Sequence, residues 1–250
     1  MNISIPPAIV SSLDAVAKTL PRLVFATVSG SHMFGFPSVD SDYDIRAMHV
    51  ESAESMLALD APAETRERSD GDFDFVSHEA RKFLRLLCKN GNVLEQVWSP
   101  YVIRTGRSHE VLKGLSIRCL TRSHAAHYFG FADAQRHMFE QRKVYEVKPI
   151  LYTYRIYMAG IHLLDENQVV SDIKILNRAH RLGAVDELIA EKVRGERVVA
   201  RESQMDKYRS DIEALKKKMS DAEARHPLPP DVAPAAWSDL NEFLMTLRYE

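Results

Sequence analysis

The first hundred residues switch between helix-like and strand-like patterns of apolar and polar positions. Apolar residues three and four positions apart over residues 8–19 predict a helix, which Pro21 ends. Short runs rich in β-branched and aromatic residues predict strands. We expect these strands at residues 22–28, 42–50, 72–76 and 101–104, and further helices at 51–59, 77–89 and 93–98.

Two boundaries in this region depend on a few residues. Ser77 is expected to cap the helix that follows the third strand, because a serine hydroxyl can accept a hydrogen bond from the first helical turn. The charged segment 61–71 contains Pro62, so we expect an exposed connection there.

The rest of the chain has few strand-like runs and many helix-like ones. Helices are predicted at residues 116–140, 147–164, 172–181, 185–193, 201–225 and 235–247, with a proline-rich linker, HPLPPDVAP, at 226–234. Strands interleaved with helices thus come before helices alone. The sequence therefore predicts a small mixed-sheet α/β domain over residues 1–105 and an all-helical domain over residues 106–250.

Composition excludes several classes of protein. The only cysteines, Cys88 and Cys119, are too few for a disulfide framework or a cysteine-based zinc site. No apolar run approaches the roughly 18 residues that span a bilayer. The N-terminal segment also lacks the basic start and apolar core of a secretory signal. We therefore expect a cytoplasmic protein with no membrane partner, and the sequence leaves its oligomeric state open.

Charge is distributed unevenly along the chain. Residues 1–100 carry 9 basic and 14 acidic side chains, a net charge of −5, whereas residues 101–220 carry 22 basic and 15 acidic ones, a net charge of +7. An acidic block followed by a basic block suits a protein that holds metal ions beside a polyanion. The alternative, which is the more common situation, is that long surface helices are simply rich in lysine and arginine.

Three aspartates carry the strongest chemical signal. Asp42 and Asp44 lie two positions apart in a predicted strand, so both side chains are expected on one face. Carboxylates this close repel each other, and a divalent cation removes the repulsion. Asp74, flanked by two phenylalanines in a later strand, is the third candidate, with Asp72 as its alternative. Together they predict a site for two Mg²⁺ ions, or Mn²⁺ in their place. The alternative for the first pair is a solvated turn.

The break after the first strand suits a triphosphate. Gly30 lets the backbone approach phosphate oxygens closely, and Ser31 adds a hydroxyl donor beside the amides of the turn. His32 is a weaker candidate for a phosphate contact, since a lone histidine is more often a loop or core residue.

This order of motifs resembles the DNA polymerase β superfamily of nucleotidyltransferases, and most of all its predicted nucleotidyltransferases associated with RNA ligases. The resemblance covers about two-thirds of the chain and rests on three stretches. They are GSHMFGFPSVDSDYDIRAMHV (30–50), DFVSHEARKFLRLLCKNGNVLEQVWS (74–99) and KPILYTYRIYMAGIHLL (148–164). The chain departs from the family pattern at Asn90-Gly91-Asn92, where a proline often follows, and at Arg46, where many relatives carry glycine. We expect neither departure to touch the carboxylates, but we expect Arg46 to alter the mouth of the pocket.

The resemblance implies roles for particular residues. It implies metal ligands at Asp42, Asp44 and Asp74, and a triphosphate cradle at Gly30 and Ser31. The resemblance further suggests a phosphate-contacting lysine and three lesser pocket residues, which are Lys148, Glu95, Tyr152 and Arg155. Since Lys148, Tyr152 and Arg155 share one face of a predicted helix, they could grip a triphosphate or stack on a base. The alternative is helix–helix packing with a snorkelling arginine.

These inferences together predict an Mg²⁺-dependent nucleotidyltransferase whose helical domain closes the nucleotide cleft. A nucleoside triphosphate is the expected donor, and a nucleoside monophosphate is passed to an acceptor hydroxyl. An RNA end is the favoured acceptor, and a protein hydroxyl or a small molecule stays open. The alternative of another class is a nucleotide-binding or toxin–antitoxin-type module that modifies or binds a protein partner.

Overall fold

The structure is a computed structural model that describes residues 5–141 and 144–249. The chain divides into two compact units. Within the described residues, the first unit comprises 5–30, 42–120 and 231–249, and the second comprises 31–41, 121–141 and 144–230. The predicted domain boundary at residue 105 stays a prediction about functional domains, because these units divide the chain differently.

The first unit contains a five-stranded sheet in the order β3-β4-β2-β1-β5. The central strands β2 and β4 are parallel, and the other neighbours are antiparallel. The predicted small mixed sheet is therefore confirmed. Its strands are β1 (Leu23–Val28), β2 (Tyr43–His49), β3 (Thr65–Asp70), β4 (Phe73–Glu79) and β5 (Val102–Arg104).

Helices cover both faces of this sheet. The apolar side chains of α1 (Pro7–Ala17) form one core cluster with inward residues of the sheet, including Val28, Ile45 and Phe75. The other face is packed by helices from later in the chain, where the ring of Phe83 meets Phe25 edge-on at 5.5 Å. These helices are α4 (Ala80–Leu87), α5 (Gly91–Val97) and α6 (Arg107–Arg118). Helix α12 (Pro234–Tyr249) packs against α4 and α6, and the short α3 (Ala53–Leu57) follows β2.

Two predictions in this unit are wrong. The expected exposed connection at 61–71 contains the edge strand β3, which pairs with β4 across a tight turn where Gly71 has a φ of +57°. Its polar, exposed side chains give no apolar alternation, so only its backbone hydrogen bonds identify it as a strand. Ser77 does not cap a helix, because β4 continues to Glu79, whose side chain caps α4 by accepting from the Arg81 amide.

The second unit is built around the buried helix α8 (Val147–Glu166). Around it pack α7 (Arg122–Glu140), α9 (Ile173–His180), α10 (Gly183–Lys192) and α11 (Met205–Arg225). The predicted helical character of this region is confirmed. The approach of α11 to α8 is close, since a methyl group on Gly160 would lie 2.6 Å from the terminal carbon of Met219.

Two local predictions around this unit are wrong. The helix expected at 116–140 is interrupted, since α6 ends at Arg118 and α7 begins at Arg122 with Thr121 as its N-cap. The Thr121 amide donates to Nδ1 of His124 at 3.1 Å, so a capping box starts the new helix. The break predicted after the first strand, at Gly30 and Ser31, is instead the start of a short helix, α2 (Gly30–Phe34).

Candidate active site

Asp44 and Asp74 lie side by side on the two parallel central strands. They are register partners in the β2–β4 pairing, although thirty residues of sequence separate them. Because register partners project from the same face of a sheet, the two carboxylates meet on the face opposite α1. Both side chains are partly exposed, Asp44 by 30% and Asp74 by 39%, so solvent and ligands reach them.

Arg46 joins the two carboxylates. It lies two positions after Asp44 on β2, and its Nη2 donates to Oδ1 of Asp44 at 2.8 Å and to Oδ2 of Asp74 at 3.0 Å. Its Nη1 donates to the backbone oxygens of Ile45 and Asp74. The guanidinium therefore neutralises the repulsion between two adjacent carboxylates. The prediction that Arg46 does not touch the carboxylates is therefore wrong. Its position two residues after Asp44 on a strand was the signal for a role on the same face.

Gly30, two residues after the end of β1, lies close to the side chain of Asp44. Its φ of +61° is a left-handed conformation, and a Cβ atom there would lie 1.8 Å from Oδ2 of Asp44. The Ser29 amide donates to the backbone oxygen of Asp44 at 2.7 Å, which ties the end of β1 to β2. Only glycine fits this position, so the backbone beside the carboxylate is bare.

Asp42 and Asp72 are placed differently from Asp44 and Asp74. Asp42 lies just before β2 and is exposed, and Asp72 lies in the exposed turn before β4. The backbone oxygen of Asp72 accepts from the Tyr43 amide at 2.7 Å. Asp74, and not Asp72, is thus the carboxylate beside Asp44.

The sequence predicts a metal site formed by Asp42, Asp44 and Asp74. Over residues 5–141 and 144–249, no group of three or more His, Cys, Asp or Glu side chains is arranged to hold a metal ion. Metal binding by Asp42, Asp44 and Asp74 therefore stays a prediction. Asp44 and Asp74 nevertheless direct one oxygen each at a single cationic nitrogen, at 2.8 and 3.0 Å. Two converging hard oxygen donors fit Mg²⁺, which commonly takes one or two carboxylates from a protein.

The other predicted pocket residue of the first unit is Glu95, which is fully buried on α5. The remaining predicted residues belong to the second unit. Ser31 is buried at the start of α2. Tyr152 lies on α8 with its ring edge-on to Phe34 at 5.4 Å. Arg155 is fully buried, and its guanidinium carbon lies 3.8 Å from the centre of the Phe34 ring. Lys148, Tyr152 and Arg155 do share one helix, and their contacts with nucleotide stay a prediction.

The second unit contains an ionic cluster that the sequence did not single out. Fully buried Lys192 donates to Oγ of Ser38 at 2.8 Å and to Oε2 of Glu196 at 2.5 Å. Glu196 also pairs with Lys148 and accepts from Ser41. Burial alone raises the pKa of Glu196, but hydrogen bonds from the two lysines outweigh it and lower the pKa to about 2. The spacing of Lys192 and Glu196, four residues apart, was the available signal.

A buried histidine lies on β2 in the first unit. His49 is fully buried, and its Nδ1 lies 2.8 Å from the hydroxyl of Ser77 on the neighbouring strand. Burial lowers the pKa of His49 to about 4, and Glu51 opposes the shift only in part. The imidazole is therefore neutral at physiological pH and acts as a packing and hydrogen-bonding group.

Comparison with known families gave one match over nearly the whole chain. The model of RlaP, described as the RNA repair pathway DNA polymerase beta family, matches residues 6–246. This range contains all the candidate site residues. Across the described residues, no helix has the length and apolar character needed to cross a membrane.

Two curated relatives share part of the sequence. The uncharacterized protein MJ0002 of Methanocaldococcus jannaschii is 34% identical over 154 residues, which are 60% of this chain and 63% of that protein. The uncharacterized protein YcgL of Bacillus subtilis is 39% identical over 83 residues, 32% of each chain. The chain thus matches less than two thirds of the length of both relatives.

A solved structure with a low likeness is the spectinomycin adenyltransferase AAD(9) from Enterococcus faecialis, crystallised with ATP and spectinomycin. The alignment covers 86% of this chain and 100% of the adenyltransferase chain, with 13% sequence identity and a TM-score of 0.46. A likeness at this level carries no inference about activity.

Proposed function

Because the chain belongs to the RNA repair pathway DNA polymerase beta family of nucleotidyltransferases, we propose that it transfers a nucleoside monophosphate from a nucleoside triphosphate to a hydroxyl at an RNA end. The observation that carries this proposal is the convergence of Asp44 and Asp74 on one cationic position beside Gly30. Paired carboxylates of this kind suit the binding of divalent cations that accompany a polyphosphate.

The proposed reaction balances without an oxidant or a reductant. The oxygen of the acceptor hydroxyl forms a bond to the α-phosphorus of the triphosphate, and the bond from that phosphorus to the oxygen bridging to the β-phosphorus breaks. Pyrophosphate leaves with the electron pair of that bond. Asp74, which is 39% exposed, is the proposed acceptor of the hydroxyl proton. The chain supplies mainly position and charge, as phosphoryl transfer requires.

A divalent metal, with Asp44 and Asp74 as its central ligands, would neutralise phosphate charge and lower the pKa of the acceptor hydroxyl when bound. Asp42 is the proposed third ligand, because it lies two residues before Asp44 and is exposed at the start of β2. Gly30 would let the triphosphate come close to the backbone, since no side chain covers this position.

An RNA end is the proposed acceptor for two reasons. The description of the family names an RNA repair pathway, and residues 101–220 carry a net charge of +7. A basic region attracts a polyanion without selecting its sequence. Ser31, Lys148, Tyr152 and Arg155 are the proposed nucleotide contacts, on the strength of the family resemblance.

The test is transfer of label from triphosphates labelled at the α-phosphate. Purified protein is incubated with each of the common ribonucleotides, with Mg²⁺ or Mn²⁺, and with an RNA oligonucleotide that ends in a free hydroxyl or in a phosphate. Label should appear only on the RNA with the free hydroxyl. Asp44→Asn should lower the rate at least about 100-fold. The control Asp70→Asn changes an exposed carboxylate on β3 and should keep the rate.

The outcomes separate the parts of the proposal. Label on the protein or on a small molecule, with none on RNA, would contradict the RNA acceptor and keep nucleotidyl transfer. An undiminished rate in the Asp44→Asn, Asp74→Asn double variant would contradict the catalytic assignment itself.

A further inference from the structure

Arg46 occupies the position between the carboxylates that the proposed function assigns to a metal ion. One nitrogen, Nη2, lies 2.8 Å from Asp44 and 3.0 Å from Asp74. A divalent ion bound to the same two oxygens at roughly 2.0–2.1 Å would lie within the volume that this nitrogen fills. The guanidinium and the metal therefore exclude each other, by volume and by like charge.

The contacts of Arg46 with the two carboxylates allow its side chain to move away from them. The Arg46 side chain is 22% exposed and both of its carboxylate partners are more exposed still. Ion pairs at partly exposed positions contribute little to stability, because solvent competes for both partners. Four hydrogen bonds from Nη1 and Nη2 still fix where the guanidinium rests. The resting place is thus specific, and leaving it costs little.

We propose that Arg46 is a built-in competitor of the catalytic metal, which must leave Asp44 and Asp74 before a divalent ion binds there. The inference rests on the proposed function and deepens it, since it assigns to Arg46 control over metal loading of the same carboxylates. The guanidinium offsets one of the two carboxylate charges and keeps the pair ordered in the free protein. The bare protein consequently binds Mg²⁺ and Mn²⁺ weakly.

The first test is binding of Mn²⁺ in the absence of nucleotide, measured by the electron paramagnetic resonance signal of the free ion. Arg46→Met removes the charge and keeps a side chain of comparable length, so it should bind Mn²⁺ at least about tenfold more tightly than wild type. Arg46→Lys keeps a cation at this position and should stay within about threefold of wild type. Arg68→Met is the matched control, because Arg68 pairs with Asp70 on the same sheet, and it should leave affinity unchanged.

Asp44→Asn in the Arg46→Met background separates this inference from the proposed function. Loss of the tight Mn²⁺ binding in this double variant places the ion at Asp44 and supports both. Unchanged binding would contradict the metal site and with it the proposed function. Equal or weaker Mn²⁺ binding by Arg46→Met, when Asp44→Asn alone still abolishes binding, would overturn only the competition by Arg46.

A second measurement follows Arg46 in the wild-type protein, and the variant Arg46→Lys serves only to assign its signals. The side-chain N–H signals of Arg46 in the wild-type protein report directly on its contacts with the two carboxylates. They are assigned in NMR spectra by their absence from Arg46→Lys. Titration with Mg²⁺ should shift these signals toward those of a solvated guanidinium, with Arg68 signals unchanged. Arg46 signals that stay fixed while Asp44 carboxylate signals respond to Mg²⁺ would overturn the proposal.

Discussion

Gly30 and Asp44 lie so close together that a Cβ atom on Gly30 would be 1.8 Å from the carboxylate oxygen Oδ2. The two residues belong to different segments, since Gly30 is the first residue of α2 and Asp44 is the second residue of β2. A hydrogen bond from the Ser29 amide to the backbone of Asp44 fixes their approach. One oxygen of Asp44 thus faces bare backbone and the other faces Arg46. The carboxylate is held between a residue without a side chain and a cation.

Replacing Gly30 with alanine should damage the site more than the strain of the backbone alone explains. Gly30→Ala adds a methyl group in collision with Asp44, whereas Gly71→Ala at a similar φ of +57° meets nothing within 4 Å. Both variants pay roughly 1–2 kcal/mol for the left-handed conformation. We expect Gly30→Ala to lower the midpoint temperature of thermal unfolding more than Gly71→Ala does. It should also lower the rate of nucleotidyl transfer at least about 100-fold. Equal stability and activity of the two variants would contradict the close approach.

Asp74 and Asp72 give a sharp comparison within one hairpin. Asp74 is the register partner of Asp44, whereas Asp72 lies in the exposed turn two residues earlier. We expect Asp74→Asn to reduce nucleotidyl transfer at least about 100-fold and Asp72→Asn to change it less than about threefold. Initial rates with labelled triphosphate measure both. A larger loss for Asp72→Asn would exchange the roles of the two residues.

The cluster around Glu196 should contribute stability that depends on pH. The pKa of Glu196 is lowered to about 2 from an ordinary 4.5, so its stabilising effect is complete above about pH 4.5 and is lost as pH falls toward 2. Glu196→Gln also leaves buried Lys192 without its carboxylate. We expect a loss of about 1–3 kcal/mol in the free energy of unfolding at pH 7. Urea denaturation at several pH values measures it.

The control for that experiment is Glu187→Gln, which changes an exposed glutamate on α10. It should shift the free energy of unfolding by less than about 0.5 kcal/mol. A loss for Glu196→Gln that stays constant down to pH 2 would show that the carboxylate charge does not cause it.

Buried His49 should make the protein less stable in mild acid. Its pKa is lowered to about 4, whereas in the unfolded chain it is about 6.5. Between these values the unfolded chain binds more protons than the folded one, so stability falls as pH decreases from 6.5 to 4. His49→Gln should reduce this loss in the free energy of unfolding between pH 6.5 and 4 by about 1–3 kcal/mol. His226→Gln, at an exposed position, should leave the loss unchanged. An equally steep curve for His49→Gln would contradict the assignment.

Local sequence patterns predicted most elements of the fold. The strands β1, β2 and β4 and the helices α1, α8 and α11 lie within a few residues of their expected places, because their apolar residues alternate or recur at helical spacing. The patterns failed where side chains carry no periodicity. The edge strand β3 is polar and mostly exposed, and the Asp70-Gly71 turn that joins it to β4 was the signal for a hairpin.

The break between α6 and α7 shows another limit of periodicity. Helical spacing continues across residues 119–121, yet the helix stops there because Thr121 and His124 form a cap. A capping box normally places glutamate or glutamine where His124 stands, so the pattern was hidden by an unusual residue type.

The sequence by itself determined most of the strands and helices and the candidacy of Asp44 and Asp74, because residue types and their spacing act over a few positions. Only the tertiary structure decided that β2 and β4 are parallel neighbours, which sets Asp44 beside Asp74 with Arg46 between them. Pairing of distant strands depends on backbone hydrogen bonds and shared burial, and these leave no periodic trace in either segment.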